Sequence, residues 1–362
     1  MIKFGAISEQ EFLTHYWQKK PLLIKQALPN FISPIPPEEL GGLSLEEEFE
    51  SRLITGSIHQ QQWTISQGPF TEKTFENLPK IDWTLLVQGV DRQINEVHDL
   101  VKHFDFIPRW RFDDVMISYA AQGGSVGPHF DYYDVFLLQG SGKRRWELST
   151  KFCTLDNYLN DVPLRIMERF IPEQTFEVGP GDVVYIPPKI AHHGVSMSDN
   201  CTTLSFGYRS YSAQEMFNNT HTNKLDDQYY QDPIWDGHQT PALIPNSAVQ
   251  MANKINPISA TDFAKFVTKL DTLDRQILQQ FEYQQQALKF NANSSYQLHP
   301  ACKIAYLQTQ GDLQVFINGL LINTQMLDSI DLINFCNGRE LKANTLSTLA
   351  QRLFNLHMLY EI

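Results

Sequence analysis

The chain has 362 residues, 42% hydrophobic and 12% aromatic, with a formal net charge of −12. That composition excludes a disordered chain and, at roughly 150 residues per domain, predicts two or three domains. No apolar run of about 18 residues occurs, so no membrane span is expected; the acid excess argues against a surface that grips nucleic acid throughout and is compatible with a basic partner.

The opening stretch MIKFGAISEQEFLTHYWQKK turns polar by Ser8 and lacks the apolar core of a secretory signal. Cys153, Cys201, Cys302 and Cys336 are far apart and form no C-x-x-C pair, which fits a reducing cytoplasm as the expected location. Ser8 and Glu11 have the spacing of a capping box, and Phe12, Leu13, Tyr16 and Trp17 form a helical stripe. Pro21 stops that helix, and LLIK reads as a short strand. Residues 36–54 open with Pro-Pro and are rich in acids, which predicts a helix or two. DWTLLVQGVD (82–91) reads as a buried strand, and INEVHDLVKHF (94–104) has helical spacing.

From Asp113 the texture changes to short β-rich runs: DVMISYAA, YDVFLLQG, KRRWELST, QTFEVGPGDVVYIPP and CTTLSFGYRS. Turns such as QGGSVGP, GSGK and GPGD separate them. Many short strands at this spacing predict a sandwich or barrel of the jelly-roll kind. YDVFLLQG and KRRWEL read as the two arms of a β-hairpin. After about Ser212, SAQEMFNN starts a helical region, and 260–290 reads as two helices. The tail has two predicted strands (CKIAYLQT, DLQVFIN) and two predicted helices, a mix resembling a winged-helix module. Its last helix, NTLSTLAQRLFNLHM, holds one arginine and no lysine, so no nucleic-acid readout is expected. These textures divide the chain at 1–211, 212–292 and 293–362. Pairing of the 260–290 helices across a two-fold would make a homodimer; a monomer that packs them on itself is the alternative.

In GPHFDYYDVF, His129 and Asp131 stand two apart on an extended segment and so point to one face. An imidazole nitrogen and a carboxylate oxygen together suit a divalent, iron-like metal. YIPPKIAHHGVS offers a third ligand just past a strand, from His192 or His193. Neighbours on a strand face opposite ways, so one of the two looks inward; spacing alone does not choose between them. Two histidines and a carboxylate make the facial triad of non-haem Fe(II) oxygenases. H-x-D by itself is common and often only a hydrogen-bonded pair; the strength lies in the combination.

In KRRWEL, strand alternation puts Arg144, Trp146 and Leu148 on one face and Lys143, Arg145 and Glu147 on the other. A guanidinium among apolar residues needs a carboxylate, because desolvating it alone is costly. A dicarboxylate co-substrate would supply one through a bidentate fork. A core salt bridge to a protein acid is an equal reading of this strand alone.

GPHFDYYDVFLLQGSGKRRWEL, GDVVYIPPKIAHHGVS and the early WQKKPLLIKQA together resemble the JmjC-type 2-oxoglutarate oxygenases, and more narrowly the bacterial ribosomal oxygenases. The resemblance implies an α+β chain: a double-stranded β-helix (jelly-roll, cupin/JmjC) catalytic domain, a helical dimerisation segment and a winged-helix-like C-terminal domain. It implies Fe(II) held by His129, Asp131 and His192, with 2-oxoglutarate and O2 as co-substrates. His192 is favoured because the family places its distal histidine two residues before a glycine, here Gly194. The family's co-substrate arginine falls on Arg144, and Ser118, Thr203 and Ser205 are the further co-substrate contacts expected. The family often has an asparagine on the strand after the distal histidine, where this chain reads CTTLSFGY. It often has an acid after that histidine, where this chain has His193, which is expected to face the entrance.

The implied activity is hydroxylation of an arginine of a basic large-subunit ribosomal protein, number sixteen of that subunit. The target side chain is expected at Tyr133 and Asp134, since a guanidinium wants aromatic faces and acids. Rim packing and turn capping are the plainer roles for the same two residues. A histidine hydroxylase of ribosomal proteins, a lysine demethylase and a non-catalytic cupin-like scaffold are the alternatives.

Overall fold

The computed structural model describes all residues except 58–61, 154–158, 160–165, 218–227, 238–239, 310–311 and 325–326. It divides into two compact units. The first comprises Met1–Asp91, Asp99–His103 and Asp113–Ser210; the second comprises Arg92–His98, Phe104–Phe112 and Tyr211–Ile362. Both of the segments read from the sequence as 212–292 and 293–362 therefore lie in the second unit.

The first unit opens with α1 (Glu9–His15). Ser8 Oγ accepts from Glu11 N and the Glu11 carboxylate accepts from Ser8 N, so the expected capping box is present. β1 (Leu22–Ile24), α2 (Pro37–Leu43), β2 (Ser51–Ser57), β3 (Gln62–Gln67), α3 (Glu72–Glu76) and β4 (Trp83–Val87) follow. The acid-rich stretch 36–54 is thus helical only as far as Leu43. From Ser51 it pairs with β3 and β4, because Leu53 and Ile54 bury themselves in the sheet. Of 94–104, α4 (Asn95–Leu100) is α-helical and Val101–Phe104 a 3-10 turn.

The β-rich stretch forms β5 (Phe112–Ala120), β6 (Asp134–Ser141), β7 (Arg144–Phe152), β8 (Gln174–Val178), β9 (Val183–Ile186), β10 (Ile190–Ser196) and β11 (Cys201–Tyr208). Among the described residues the larger sheet runs β1-β9-β6-β11-β5-β4-β2-β3 and the smaller one β10-β7-β8. The pairs β1–β9, β9–β6, β6–β11, β5–β4, β4–β2 and β2–β3 of the larger sheet, and β10–β7 and β7–β8 of the smaller, are antiparallel. β6 and β7 are not a hairpin, as the sequence suggests: β6 pairs with β9 and β11, β7 with β8 and β10. The reason is apolar. Val135 and Leu137 of β6 and Trp146 and Leu148 of β7 all feed one buried cluster, together with Val184, Ile186 and Ile190. Strands carrying an apolar inner face bury more surface by facing each other across a sandwich than by lying side by side. The other face of β6 is also covered. Phe136 meets Phe12 at 5.7 Å and Trp17 at 6.0 Å between ring centroids.

The second unit contains α5 (Ala213–Phe217), α6 (Asn246–Asn253), α7 (Ala260–Val267) and α8 (Thr272–Gln285), then β12 (Ser295–Leu298), β13 (Ile304–Thr309), β14 (Asp312–Ile317), β15 (Leu320–Ile322), α9 (Ser329–Gly338), β16 (Glu340–Lys342), α10 (Ser347–Asn355) and β17 (Leu359–Glu361). The two helices expected within 260–290 and the two strands and two helices of the tail are all present. β12, β15, β16 and β17, of three or four residues each, were too short to show a period in the sequence. Tyr296, Tyr306, Val315, Leu332, Leu349 and Leu353 are among the core residues of the tail. No helix among the described residues is long and apolar enough to cross a membrane.

Candidate metal centre

The residues that fill the space between the two sheets of the first unit follow from strand alternation. Register pairs His192 with Leu148, Gly194 with Trp146 and Ser196 with Arg144, so these six share the inner face of the smaller sheet. On the larger sheet Thr203 lies opposite Gln139 and Ser205 opposite Leu137, on the face that carries Val135 and Leu137 inward.

His129 and Asp131 lie just before β6, on a segment stitched to the start of β10. His129 N donates to His192 O at 3.0 Å and His192 N to His129 O at 2.8 Å, while Lys189 N donates to Asp131 O at 2.6 Å. This brings together the three predicted ligands: their donor atoms lie within 4.8 Å of one another. Each histidine Nε2 is 3.7 Å from Asp131 Oδ2.

The remaining ring nitrogens are held by the backbone. His129 Nδ1 lies 2.9 Å from Gly127 O, and His192 Nδ1 lies 3.1 Å from Ile190 O. A carbonyl only accepts, so each Nδ1 carries the proton and each Nε2 offers its lone pair to the common point. Gly127 supplies its carbonyl from a turn with φ +79°, a conformation that glycine takes freely. Burial, and then the neighbouring His129 ring, lower the His192 pKa to about 4. A neutral imidazole, which is the ligating form, is therefore favoured at neutral pH. Two imidazoles and one carboxylate converging on one point suit a divalent iron-type ion.

Arg144 is 4% exposed, and its Nε and Nη2 have no hydrogen-bond partner. No acid among the described residues stands within ion-pair distance of it. The core salt bridge considered from the sequence is thus not present among them, and the buried guanidinium fits a carboxylate-bearing ligand. Ser118 Oγ approaches Thr203 O at 3.5 Å, and Thr203 Oγ1 donates to Gln139 Oε1 at 3.1 Å. Ser205 is buried on the same face. The strand register shifts by a bulge between Thr202 and Thr203, where this chain departs from the asparagine-bearing pattern.

Tyr133 keeps 41% of its surface exposed. Its hydroxyl end is enclosed, and that burial, with the Asp131 and Asp114 carboxylates, raises the phenol well above its ordinary range. Two expectations are corrected. Asp134 does not share the site: it is fully buried on the opposite face of β6, accepting from Tyr185 Oη at 2.5 Å and from Gln18 Nε2 at 3.0 Å. Alternation in β6 requires this, since Val135 and Leu137 take the inward positions. His193 does not face an entrance either. It is buried on the outer side of the smaller sheet, with Nδ1 3.2 Å from Glu147 Oε2, and Glu147 in turn accepts from Arg145 Nε at 3.0 Å. The sequence reading missed the two carbonyls that orient the histidines, which carry no residue-type signal. It also assigned no role to Gln139 or Trp146.

Comparison with known proteins agrees with this geometry. A family model described as JmjC domain matches residues 99–216. In sequence, the chain is 39% identical over 233 residues to the ribosomal protein uL16 3-hydroxylase of Escherichia coli, covering 62% of this chain and 59% of that protein. It is 40% identical over 205 residues to a probable ribosomal oxygenase of Haemophilus influenzae, covering 56% of this chain and 50% of that protein. The sequence match therefore spans roughly half to three fifths of these relatives' length. In structure, the chain is similar to YcfD, a ribosomal oxygenase from Escherichia coli solved in complex with cobalt and 2-oxoglutarate. The TM-score is 0.70 at 27% identity, over 98% of each chain. Residues 99–216 thus match the JmjC domain, and the chain is similar in sequence and fold to the bacterial ribosomal oxygenases.

Proposed function

We propose that this protein is an Fe(II)- and 2-oxoglutarate-dependent protein hydroxylase whose target is an arginine of a basic large-subunit ribosomal protein. The observation that carries the reading is the buried, unpartnered guanidinium of Arg144 within the same β-sandwich as the His129–Asp131–His192 cluster. One of these features would suit a metal and the other a carboxylate; together they suit a metal-chelating dicarboxylate. The relatives supply the ribosomal target, and a chain of net charge −12 favours encounter with a basic protein.

When bound, iron(II), 2-oxoglutarate and O2 supply the oxidising power that places one oxygen atom in a substrate C–H bond and the other in succinate, with release of CO2. The chain's own contribution is positional. His129, Asp131 and His192 hold the ion on one side. Arg144 pairs with the far carboxylate of the co-substrate, with Ser118, Thr203 and Ser205 as flanking hydroxyls. Tyr133, half exposed beside Asp131, offers its ring to an incoming guanidinium. The amphipathic pair α7 and α8 is the proposed homodimer surface, and the tail the proposed winged-helix-like domain. Catalysis is assigned to the 1–211 segment, in a cytoplasmic protein.

The test is turnover of 2-oxoglutarate in the presence of the isolated ribosomal protein, followed by intact-mass and fragment analysis of that protein. An added oxygen on arginine supports the reading. An added oxygen on histidine, or release of formaldehyde from a methylated lysine, would move the same machinery to another target. Absence of turnover with any basic ribosomal protein would favour a binding scaffold.

A further inference from the structure

We propose that Trp146 is a further co-substrate-binding residue, its indole N–H donating to the far carboxylate beside Arg144; this rests on the 2-oxoglutarate reading above. Trp146 is 6% exposed and its Nε1 has no hydrogen-bond partner among the described residues. Buried indole N–H groups are normally paired, so an unpaired one in a core marks a partner still to come. Arg144 repeats the pattern two residues earlier on the same strand face, with Nε and Nη2 also unpaired. The Arg144 Cζ lies 5.6 Å from the Trp146 ring centroid, so the side chains that carry the three orphan donors lie against each other. A carboxylate has two oxygens and about four acceptor positions; an arginine fork fills two of them and leaves room for a third donor.

The orientation of the indole is set by the strand beside it. A Cβ at position 194 would come within 2.5 Å of the Trp146 six-membered ring, at the edge remote from Nε1. Gly194 thus lets the benzene edge lie flat on β10 and turns the N–H edge away from that strand. His192, one step along the inner face of β10, has its ring 5.9 Å from the indole. The tryptophan therefore stands between the metal-ligand side of the site and the carboxylate-binding side. A role in apolar packing alone would need the ring and not the N–H, and phenylalanine would serve it.

The experiment is anaerobic calorimetry on the full chain loaded with cobalt(II), titrated with 2-oxoglutarate and separately with oxalate. Oxalate chelates a metal but has no far carboxylate. For Trp146→Phe the expected result is about tenfold weaker 2-oxoglutarate binding, the effect of losing one hydrogen bond to a charged group, with oxalate binding unchanged. Equal 2-oxoglutarate affinity in both proteins, or an equal loss for oxalate, would overturn the assignment. A second measurement needs no variant. In zinc-loaded wild type labelled with 15N-tryptophan, one indole N–H resonance should move downfield with 2-oxoglutarate and not with oxalate; no such movement would also overturn it. Wild type that binds oxalate but not 2-oxoglutarate would defeat the co-substrate reading itself, which separates that failure from a failure of the tryptophan assignment.

Discussion

His129 and His192 exchange two backbone hydrogen bonds, at 3.0 and 2.8 Å, so the segments bearing the two imidazoles are joined directly to each other. Their rings lie 4.3 Å apart between centroids, and each is oriented by a carbonyl two residues earlier in its own chain. Preorganisation of this kind makes the metal site a property of the fold, and the first prediction concerns the third ligand. Asp131→Ala should leave the metal-free protein folded, because the Asp131 side chain makes none of these backbone bonds. It should abolish 2-oxoglutarate turnover and the stabilisation that metal gives, which for wild type at a hundredfold excess over Kd is about 2.7 kcal/mol. Melting curves with and without cobalt check this; equal metal-induced shifts in both proteins would remove Asp131 from the ligand set.

Arg144→Met should separate stability from binding. Without a ligand the wild-type guanidinium is buried and unpaired, so the apolar variant should be at least as stable as wild type in urea. Its 2-oxoglutarate affinity should fall by more than about thirtyfold, the lower end expected for losing one partner of a buried charge pair. A clearly less stable variant with unchanged affinity would mean that Arg144 is a structural residue.

Gly194→Ala places a methyl where the Trp146 ring now lies. Overpacking of a β-sandwich core should cost about 1–3 kcal/mol. Unfolding midpoints would show this, and a neutral substitution would mean that the indole moves aside freely.

Asp134→Ala tests the correction to its role. Removing the carboxylate leaves the Tyr185 hydroxyl and the Gln18 amide without their acceptor, and each such loss costs about 1–3 kcal/mol. Metal and 2-oxoglutarate affinity should be unchanged in the protein that remains folded. A fall in substrate-protein affinity at undiminished stability would return Asp134 to the binding surface.

The second unit carries its own pH signature. His299 is packed against Phe281 at 4.3 Å, and burial, then Arg339, lower its pKa from 6.5 to about 4. Between those values the unfolded chain takes up a proton that the folded chain refuses. Stability should therefore be constant above about pH 6.5, fall as pH drops toward 4, and level off below. The full loss is about 3 kcal/mol. His192, with its pKa also lowered to about 4, adds a slope over the same range, so His299→Gln should show a clearly shallower slope than wild type in urea titrations; the same slope in both would remove His299 from the titrating groups.

Much of the site is a matter of local period, and local period is legible in a sequence. H-x-D on an extended segment, and the inward set Arg144, Trp146 and Leu148, follow from the two-residue repeat of a strand. So does the rule that only one of His192 and His193 looks inward. The same rule, applied across the loop into β6, would have turned Asp134 outward; the loop hid where the strand begins. The strand at Ser51–Ser57 was obscured by acids just before it, and the short strands of the tail by their length.

By itself the chain determined the chemical types at the centre, two imidazoles, a carboxylate and a guanidinium, and the faces of the strands that carry them, because side-chain alternation depends only on neighbouring residues. The tertiary structure decided what meets across distance. It sent β6 and β7 to opposite sheets, left Arg144 Nε and Nη2 and Trp146 Nε1 without hydrogen-bond partners among the described residues, and paired His193 with Glu147. Those outcomes depend on which apolar faces bury each other, a competition among segments far apart in the chain that no local pattern records.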